Sequence, residues 1–389
     1  MNVPKLRFKE FNDEYKYRNL SDISTLIKDG THGTHENYEN GIPLLSAKDI
    51  NNNKINIPED CRKISVDDYN KIYKNYLLKK DDILLTIVGS IGRTALYKNE
   101  KVAFQRSVAA IRIDGNNNSN YIRQYIESPI IINQLNNMTN SSAQGGVYLS
   151  SLSKLNFDIP RKEEQLKVAK FLSLLDKKIE FQFKKIEDLK LFKKGLINSI
   201  GKNIEIEKIP LKNILAEQNH KTIKNNEYEI LSSTSKGIYL QKDYFNKQAA
   251  SDNNVGYKIL KKNQLVLSPQ NLWMGNININ SKYNIGIVSP SYKIFDINNN
   301  IDIDFFDYWI KSPKALYEYK ISSEQGASIV RRNLNMDLFY EIKVDIPKGK
   351  MQNKLGRIIK LLNLKIQYNE NSLQKLQELK KGLMQNMFV

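Results

Sequence analysis

The apolar positions of this chain fall into two long stripes of helical period, each behind a stretch in which short apolar runs alternate with polar turns. The first stripe passes through Leu172, Leu175, Ile179, Ile186, Leu189, Leu196 and Ile200, spaced by three, four or their sum like the a and d sites of a heptad. The second repeats that register through Ile359, Leu362, Ile366, Leu373, Leu376, Leu383 and Met387. Polar residues interrupt both seams at matching sites, Gln182 with Asn369 and Lys193 with Lys380. Such interruptions lower stability but can fix register and pairing. Pro160 and Pro347 precede the helices, and a late glycine, Gly195 or Gly382, lies towards the end of each. Each helix is therefore predicted to run about 35 to 40 residues, roughly 55 to 60 Å at 1.5 Å per residue. A stripe that long needs a partner. The cheapest is its own repeat, packed antiparallel as a spacer between two globular units. The alternative is that each helix folds back onto its own globular unit.

The stripes belong to a longer internal repeat. Ile159-Pro160, Gln165, Leu174-Leu175, Ile179, Leu189 and Lys193-Lys194-Gly195-Leu196 recur as Ile346-Pro347, Gln352, Leu361-Leu362, Ile366, Leu376 and Lys380-Lys381-Gly382-Leu383. Every pair is 187 positions apart, as Ile159 is from Ile346, without a gap. Weaker echoes lie upstream, shifted by loop insertions: Leu44-Leu45-Ser46 with Ile230-Leu231-Ser232, Ile83-Leu84-Leu85 with Leu265-Val266-Leu267, and Ser128-Pro129 with Ser312-Pro313. Runs such as Ile83 to Val88 and Ile285 to Val288 read as strands, Tyr121 to Glu127 as a short helix, and Asp114 to Asn120 as a surface loop. The expected architecture is α+β. Two tandem-repeated domains, 1–158 and 201–345, are joined by two long antiparallel coiled-coil helices, 159–200 and 346–389.

Lys and Arg total 60 against 42 Asp and Glu, a formal charge of +18 with a pI near 9.5, which favours a polyanionic partner, nucleic acid first. The competing explanation is a Lys- and Asn-rich composition with no binding role. Cys61 is the only cysteine, so neither an internal disulfide nor a thiolate zinc cluster can form, and a cytoplasmic location is expected. Met1 to Phe8 has no apolar core of signal-peptide length, and nowhere do ~18 uncharged apolar residues run together.

Val3-Pro4-Lys5-Leu6-Arg7-Phe8, with Phe11 and Leu20-Ser21-Asp22-Ile23 behind it, resembles the opening of type I restriction-modification specificity subunits. The Ile-Pro-x-x-x-x-Gln start of each long helix and its Lys-Lys-Gly-Leu ending resemble the two spacer regions of that family. Glu163-Glu164-Gln165 and Phe171-Leu172-Ser173-Leu174-Leu175-Asp176 fit closely. The second copy departs from the pattern, with Gly349-Lys350-Met351 before Gln352 and Asn363 where Asp is usual. The resemblance covers essentially the whole chain. It implies two target-recognition domains that each read one half of a bipartite site in double-stranded DNA, joined by helices that set the spacing and dock two modification (methyltransferase) subunits. It also implies that this chain is non-catalytic and carries no cofactor, adenosylmethionine, ATP and magnesium belonging to partners, and it leaves open whether restriction subunits join.

Catalytic motifs are missing in keeping with that expectation. Gly89-Ser90-Ile91-Gly92-Arg93-Thr94 lacks the Gly-Lys-[Ser/Thr] ending of a phosphate loop and reads as a strand-exit turn. No amine-methylation motif or adenosylmethionine-type glycine loop occurs. His32 and His35 have no third strong ligand close in sequence and read as polar loop residues. DNA reading needs cations for phosphates and planar or amide side chains for base edges, placed on loops. The candidates are Thr31, His32, Thr34, His35, Ser90, Arg93, Gln105, Arg106 and Gln144 in the first domain. In the second they are Ser233, Ser268, Gln270, Asn271, Trp273, Tyr292, Arg331 and Arg332, the adjacent arginines being the sharpest pair. The rival reading is a solitary or decoy copy, a coiled-coil scaffold that binds only proteins.

Overall fold

Duplication of sequence proves to be duplication of topology. The computed structural model describes residues 3–140, 145–200, 204–244, 253–325 and 332–389. It divides into two units, Met1–Lys184 with Glu370–Val389, and Lys185–Asn369.

In the first unit β1 (Lys16–Asn19) leads into β2 (Ser24–Asp29), followed by β3 (Ile42–Leu45), helix α1 (Val66–Ile72), β4 (Ile83–Thr86), β5 (Thr94–Leu96), β6 (Ala103–Phe104) and β7 (Val108–Ile113). Helix α2 (Ser119–Ile126), β8 (Asn156–Ile159) and the first part of the long α3 (Lys162–Ile200) follow. An antiparallel sheet runs β2-β7-β4-β5, while β1 pairs with β8. Ile83, Leu84, Leu85 and Thr86 are all buried, as the near-continuous apolar run of a strand covered on both faces requires. Asp82, just ahead of β4, is buried beneath two 2.8 Å bonds from the Arg112 guanidinium on β7, which fixes the register of the two strands.

The second unit repeats this plan with β9 (Ile206–Pro210), β10 (Leu215–Gln218), β11 (Leu231–Thr234), β12 (Lys258–Lys261), β13 (Leu265–Leu267), β14 (Ile277–Ile279), β15 (Ile285–Val288) and β16 (Lys293–Ile297). Helix α4 (Ile303–Trp309), the hairpin strands β17 (Ser323–Gln325) and β18 (Arg332–Leu334), β19 (Lys343–Pro347) and the long α5 (Met351–Met387) follow. The sheet order β10-β16-β13-β14 and the pairing of β9 with β19 reproduce the first unit strand for strand.

The long helices contain 39 and 37 residues. Gly195 and Gly382 both lie inside the helices. A glycine costs about 1 kcal/mol in a helix interior, and beyond Gly382 the helix is held by Met384 and Met387, which enter the first unit's core with Leu172, Tyr121, Tyr125 and Phe157. Every seam position named above is buried or half-buried among the described side chains. Within the first unit residues 370–389 run antiparallel to α3: Lys380 meets Asp176 at 2.6 Å, and Met387 and Phe388 cluster with Val168 and Leu172. Within the second, Lys193 of α3 donates to Asn363 of α5 at 2.6 Å. The two pairs occupy equivalent places in the repeat, Asp176 matching Asn363 and Lys193 matching Lys380. The two compact units divide inside the long helices, after Lys184 and after Asn369, because each unit buries part of both stripes.

The motifs that open each repeat fasten the helices to the sheets. Gln165, 1% exposed, accepts from Asn118 N–H at 2.9 Å and donates to Asn117 Oδ1 and to the Pro160 carbonyl. Gln352 holds the matching loop, accepting from Asp302 N–H at 3.1 Å and donating to the Asn300 carbonyl at 2.8 Å. Near the N-terminus, Arg7 grips buried Glu164 through two bonds of 2.9 and 2.8 Å, and the Leu6 N–H donates to the Asn386 carbonyl.

Candidate nucleic-acid interface

Antiparallel pairing brings three chain segments to one end of each sheet. In the first unit Ala109 of β7 faces Asp29 of β2, and Val108 faces Thr86 of β4, so β2 and β4 finish where β7 begins. The segments 30–35, 87–93 and 105–107 must therefore leave the sheet side by side. In the second unit Gln218 faces Ile294 and Leu267 faces Lys293, which places 219–224, 268–276 and 289–292 at the equivalent end.

The first unit's loops are fixed by short-range bonds. Thr31 N–H donates to the Phe104 carbonyl at 2.8 Å and Arg106 N–H to the Thr31 carbonyl at 3.0 Å, placing Thr31, Gln105 and Arg106 together. A side chain at Gly30 would put its Cβ 2.1 Å from the Phe104 carbonyl oxygen, so this crossing admits only glycine. Thr31 Oγ1 lies 2.8 Å from His35 Nε2 and accepts from Gly33 N–H, while His35 Nδ1 lies 3.4 Å from Asp68 on α1. His32 faces a different carboxylate, Asp29, at 2.6 Å. Each ring thus has its own acid partner. The stretch from Gly89 to Arg93 is the turn between β4 and β5: Thr86 Oγ1 accepts from Arg93 N–H at 2.9 Å and donates to the Ser90 carbonyl. Gly92 takes φ +88°, and a Cβ there would meet Ile132 at 2.4 Å.

Exposed at this end are His32, Thr34, Ser90, Arg93 and Arg106, with Thr31, His35 and Gln105 half-buried beneath them. Arg7, Arg112 and Arg123 are all committed to carboxylates. The Arg93 and Arg106 guanidiniums have no such partner among the described residues and project two uncommitted cations with full bidentate capacity. Gln144 lies outside the described residues.

In the second unit Ser268, Asn271, Trp273 and Tyr292 are half-buried at the matching end, and Gln270 is exposed. Ser233 is buried, its hydroxyl bonded to Asn276 Oδ1 at 2.9 Å and to Asn278 Nδ2 at 2.8 Å, and its carbonyl accepts from the Tyr292 hydroxyl at 3.0 Å. Its contacts are therefore internal. Lys258 donates to the Tyr292 carbonyl at 2.7 Å; burial pushes the Lys258 ammonium pKa down and the Tyr292 phenol pKa up. Arg332 sits on β18, its guanidinium donating to the Ser323 carbonyl at 2.6 Å and its N–H to the Gln270 carbonyl at 3.3 Å. It ties the hairpin to the 268–276 loop. Arg331 lies outside the described residues. The carboxylates Asp29 and Asp68 and the loop Lys221–Lys224 were not singled out in the sequence. The loop was legible through the repeat, since it follows β10 as 30–35 follows β2.

A family model described as the type I restriction modification DNA specificity domain matches residues 12–191. A putative type I restriction enzyme MjaX specificity subunit from Methanocaldococcus jannaschii is 24% identical over 213 residues, covering 51% of this chain and 48% of that protein. The chain thus spans about half the length of the curated relative it matches. Among solved structures, the type I restriction-modification S subunit of M. genitalium superposes with a TM-score of 0.63 at 17% identity, covering 100% of this chain and 99% of its own. A chain from a structure described as the basis of complex assembly and conformational transition of the type I R-M system gives 0.52 at 10% identity, covering 96% and 97%. At these identities the likeness establishes the fold.

Proposed function

Residues 12–191 belong to the type I restriction modification DNA specificity domain family, and from that premise we propose that the chain is the sequence-reading subunit of a type I restriction-modification complex, each unit reading one half of a bipartite DNA site. The observation that carries this is the repeated loop cluster: the same three segments leave the same sheet end in both units. In the first unit that end presents Arg93 and Arg106 with no carboxylate partner among the described residues. The surplus of +18 supplies the sequence-independent attraction to phosphate on which such readers depend.

The chain itself is non-catalytic in this reading, and the methyl transfer and any cleavage belong to partner subunits with their adenosylmethionine, ATP and magnesium. Two modification subunits dock on the long helices. Phe181, Leu191 and Phe192 of α3 and Leu361, Leu364 and Tyr368 of α5 lie off the seam and are more than half exposed, an apolar content that solvent alone does not favour.

Sequencing of methylated bases in a host with and without the gene tests the proposal. One modified bipartite motif should vanish on deletion and return on complementation. An unchanged methylation pattern in a host whose modification subunit is intact would overturn it.

A further inference from the structure

We propose that Ile223 reads the C5 methyl group of a thymine in the half-site of the second unit, an assignment that rests on the DNA-reading function above. Ile223 is 81% exposed, more than any other large apolar side chain among the described residues. A solitary exposed isoleucine is ordinary on a protein surface; its fixation and its neighbours set this one apart.

The residue before it is locked. Thr222 is 3% exposed, with its N–H on the Tyr257 carbonyl at 2.8 Å, its hydroxyl on the Asn254 carbonyl at 2.8 Å, and its own carbonyl accepting from Gly256 N–H at 3.0 Å. The residues after it are locked as well. Asn225 Oδ1 accepts from Asn254 N–H at 2.9 Å, and Asn226 exchanges two 2.7 Å bonds with the Asn254 side chain. The Ile223 N–H is itself held by the Glu227 carboxylate at 3.2 Å. With the chain clamped on both sides, the side chain stands out from the tip.

Its flanks are exposed Lys221 and Lys224. An apolar tip between two cations fits a duplex groove, where phosphates line the walls and thymine offers the only methyl group on the major-groove floor. An apolar protein surface would instead have to desolvate both ammoniums. The loop also stands where a reader should, leaving β10 at the end shared with 268–276 and 289–292. In the first unit Thr34 occupies the equivalent place, five residues beyond the end of β2 as Ile223 is beyond β10, and it too is exposed and carries a methyl group.

The test pairs a change in protein with a change in DNA. The full chain, assembled with its modification subunits, is titrated with duplexes of its methylated site in which each thymine of the second half is replaced singly by deoxyuridine. At one position the wild type should lose about fourfold in affinity, the worth of one buried methyl-sized group. Ile223→Ala should bind thymine and deoxyuridine there equally, and Ile223→Val should keep most of the discrimination. Thymine-independent binding by the wild type, a half-site without thymine, or undiminished discrimination in Ile223→Ala overturns the proposal while leaving the DNA-reading function standing. Failure to bind any specific duplex overturns both.

Discussion

Asp176 and Lys380 meet at 2.6 Å across the helix pair of the first unit, and the equivalent positions of the second unit hold Asn363 and Lys193, also 2.6 Å apart. The loss of a carboxylate at 363 has a physical counterpart on the neighbouring short helix. In the first unit that helix offers Arg123, 4% exposed and paired with Glu127 at 3.1 Å, so Asp176 faces two cations. In the second unit the charges are reversed: Asp307 pairs with Lys311 at 2.7 Å, and burial pushes the Lys193 ammonium pKa down, an effect that the Asp307 carboxylate offsets only in part. The negative charge has moved from the long helix to the short one.

Asp176→Asn should therefore cost about 2 kcal/mol, because Arg123 and Lys380 would be left with Glu127 alone in a partly buried site. Asn363→Asp should shift stability by less than about 0.5 kcal/mol, since position 363 is exposed and Asp307 already lies near Lys193. Urea denaturation midpoints of the two variants and the wild type measure both effects. Equal losses would show that the two brackets are not balanced in this way.

The helices, their register and the duplication could be read directly because their signals are local or strictly periodic. An uninterrupted offset of 187 survives wherever packing on two sides forbids insertion. Sheet order was not legible, since Ala109 pairs with Asp29 across a stretch that carries no pairing signal of its own. Among the candidate readers, Thr31, Gln105 and Arg106 converge because Gly30 lets two backbones touch. Ser233 turns inward because its partners, Asn276 and Asn278, lie on a strand and turn that only the folded sheet brings near. Arg332 looked like an uncommitted cation in the sequence; in the fold its guanidinium donates to the Ser323 carbonyl.

Gln165 and Gln352 offer a matched comparison of one motif at two depths. Gln165→Ala strands the Asn118 N–H and the Asn117 side chain in a buried site and should cost about 2 kcal/mol. Gln352→Ala should cost about 1 kcal/mol or less, because water can replace its bonds at a half-exposed position. Amide exchange should quicken around residues 114–118 in the first variant and 298–302 in the second. Identical protection in both would rule out the clasp.

Tyr76 supplies a pH test. Its hydroxyl donates to the Asp29 carbonyl at 2.9 Å, and burial, with Asp29 nearby, pushes its pKa from 10.0 up to about 12. A folded pKa above the unfolded value means that the contribution is complete below pH 10 and is lost as pH rises from 10 towards about 12. Tyr76→Phe should flatten the fall in stability over that window by about 1 to 2 kcal/mol, discounted for partial exposure. An unchanged slope between the two proteins would place the titration elsewhere.

Arg93 and Arg106 distinguish phosphate from base contact by salt. Both are exposed at the sheet end of the first unit, so replacing either with alanine should leave the melting temperature unchanged while weakening DNA binding. If a guanidinium meets a phosphate, the slope of log affinity against log salt should fall by about 1 for each substitution, equally on specific and random duplex. If it is bidentate to a guanine, about 1 to 3 kcal/mol should be lost on the cognate site alone, with tolerance appearing at a single base pair of the first half-site. Relaxation in the second half-site would contradict the assignment of these loops, because Arg93 and Arg106 belong wholly to the first unit. Titration of the assembled complex at several salt concentrations, on cognate and single-substituted duplexes, separates these outcomes.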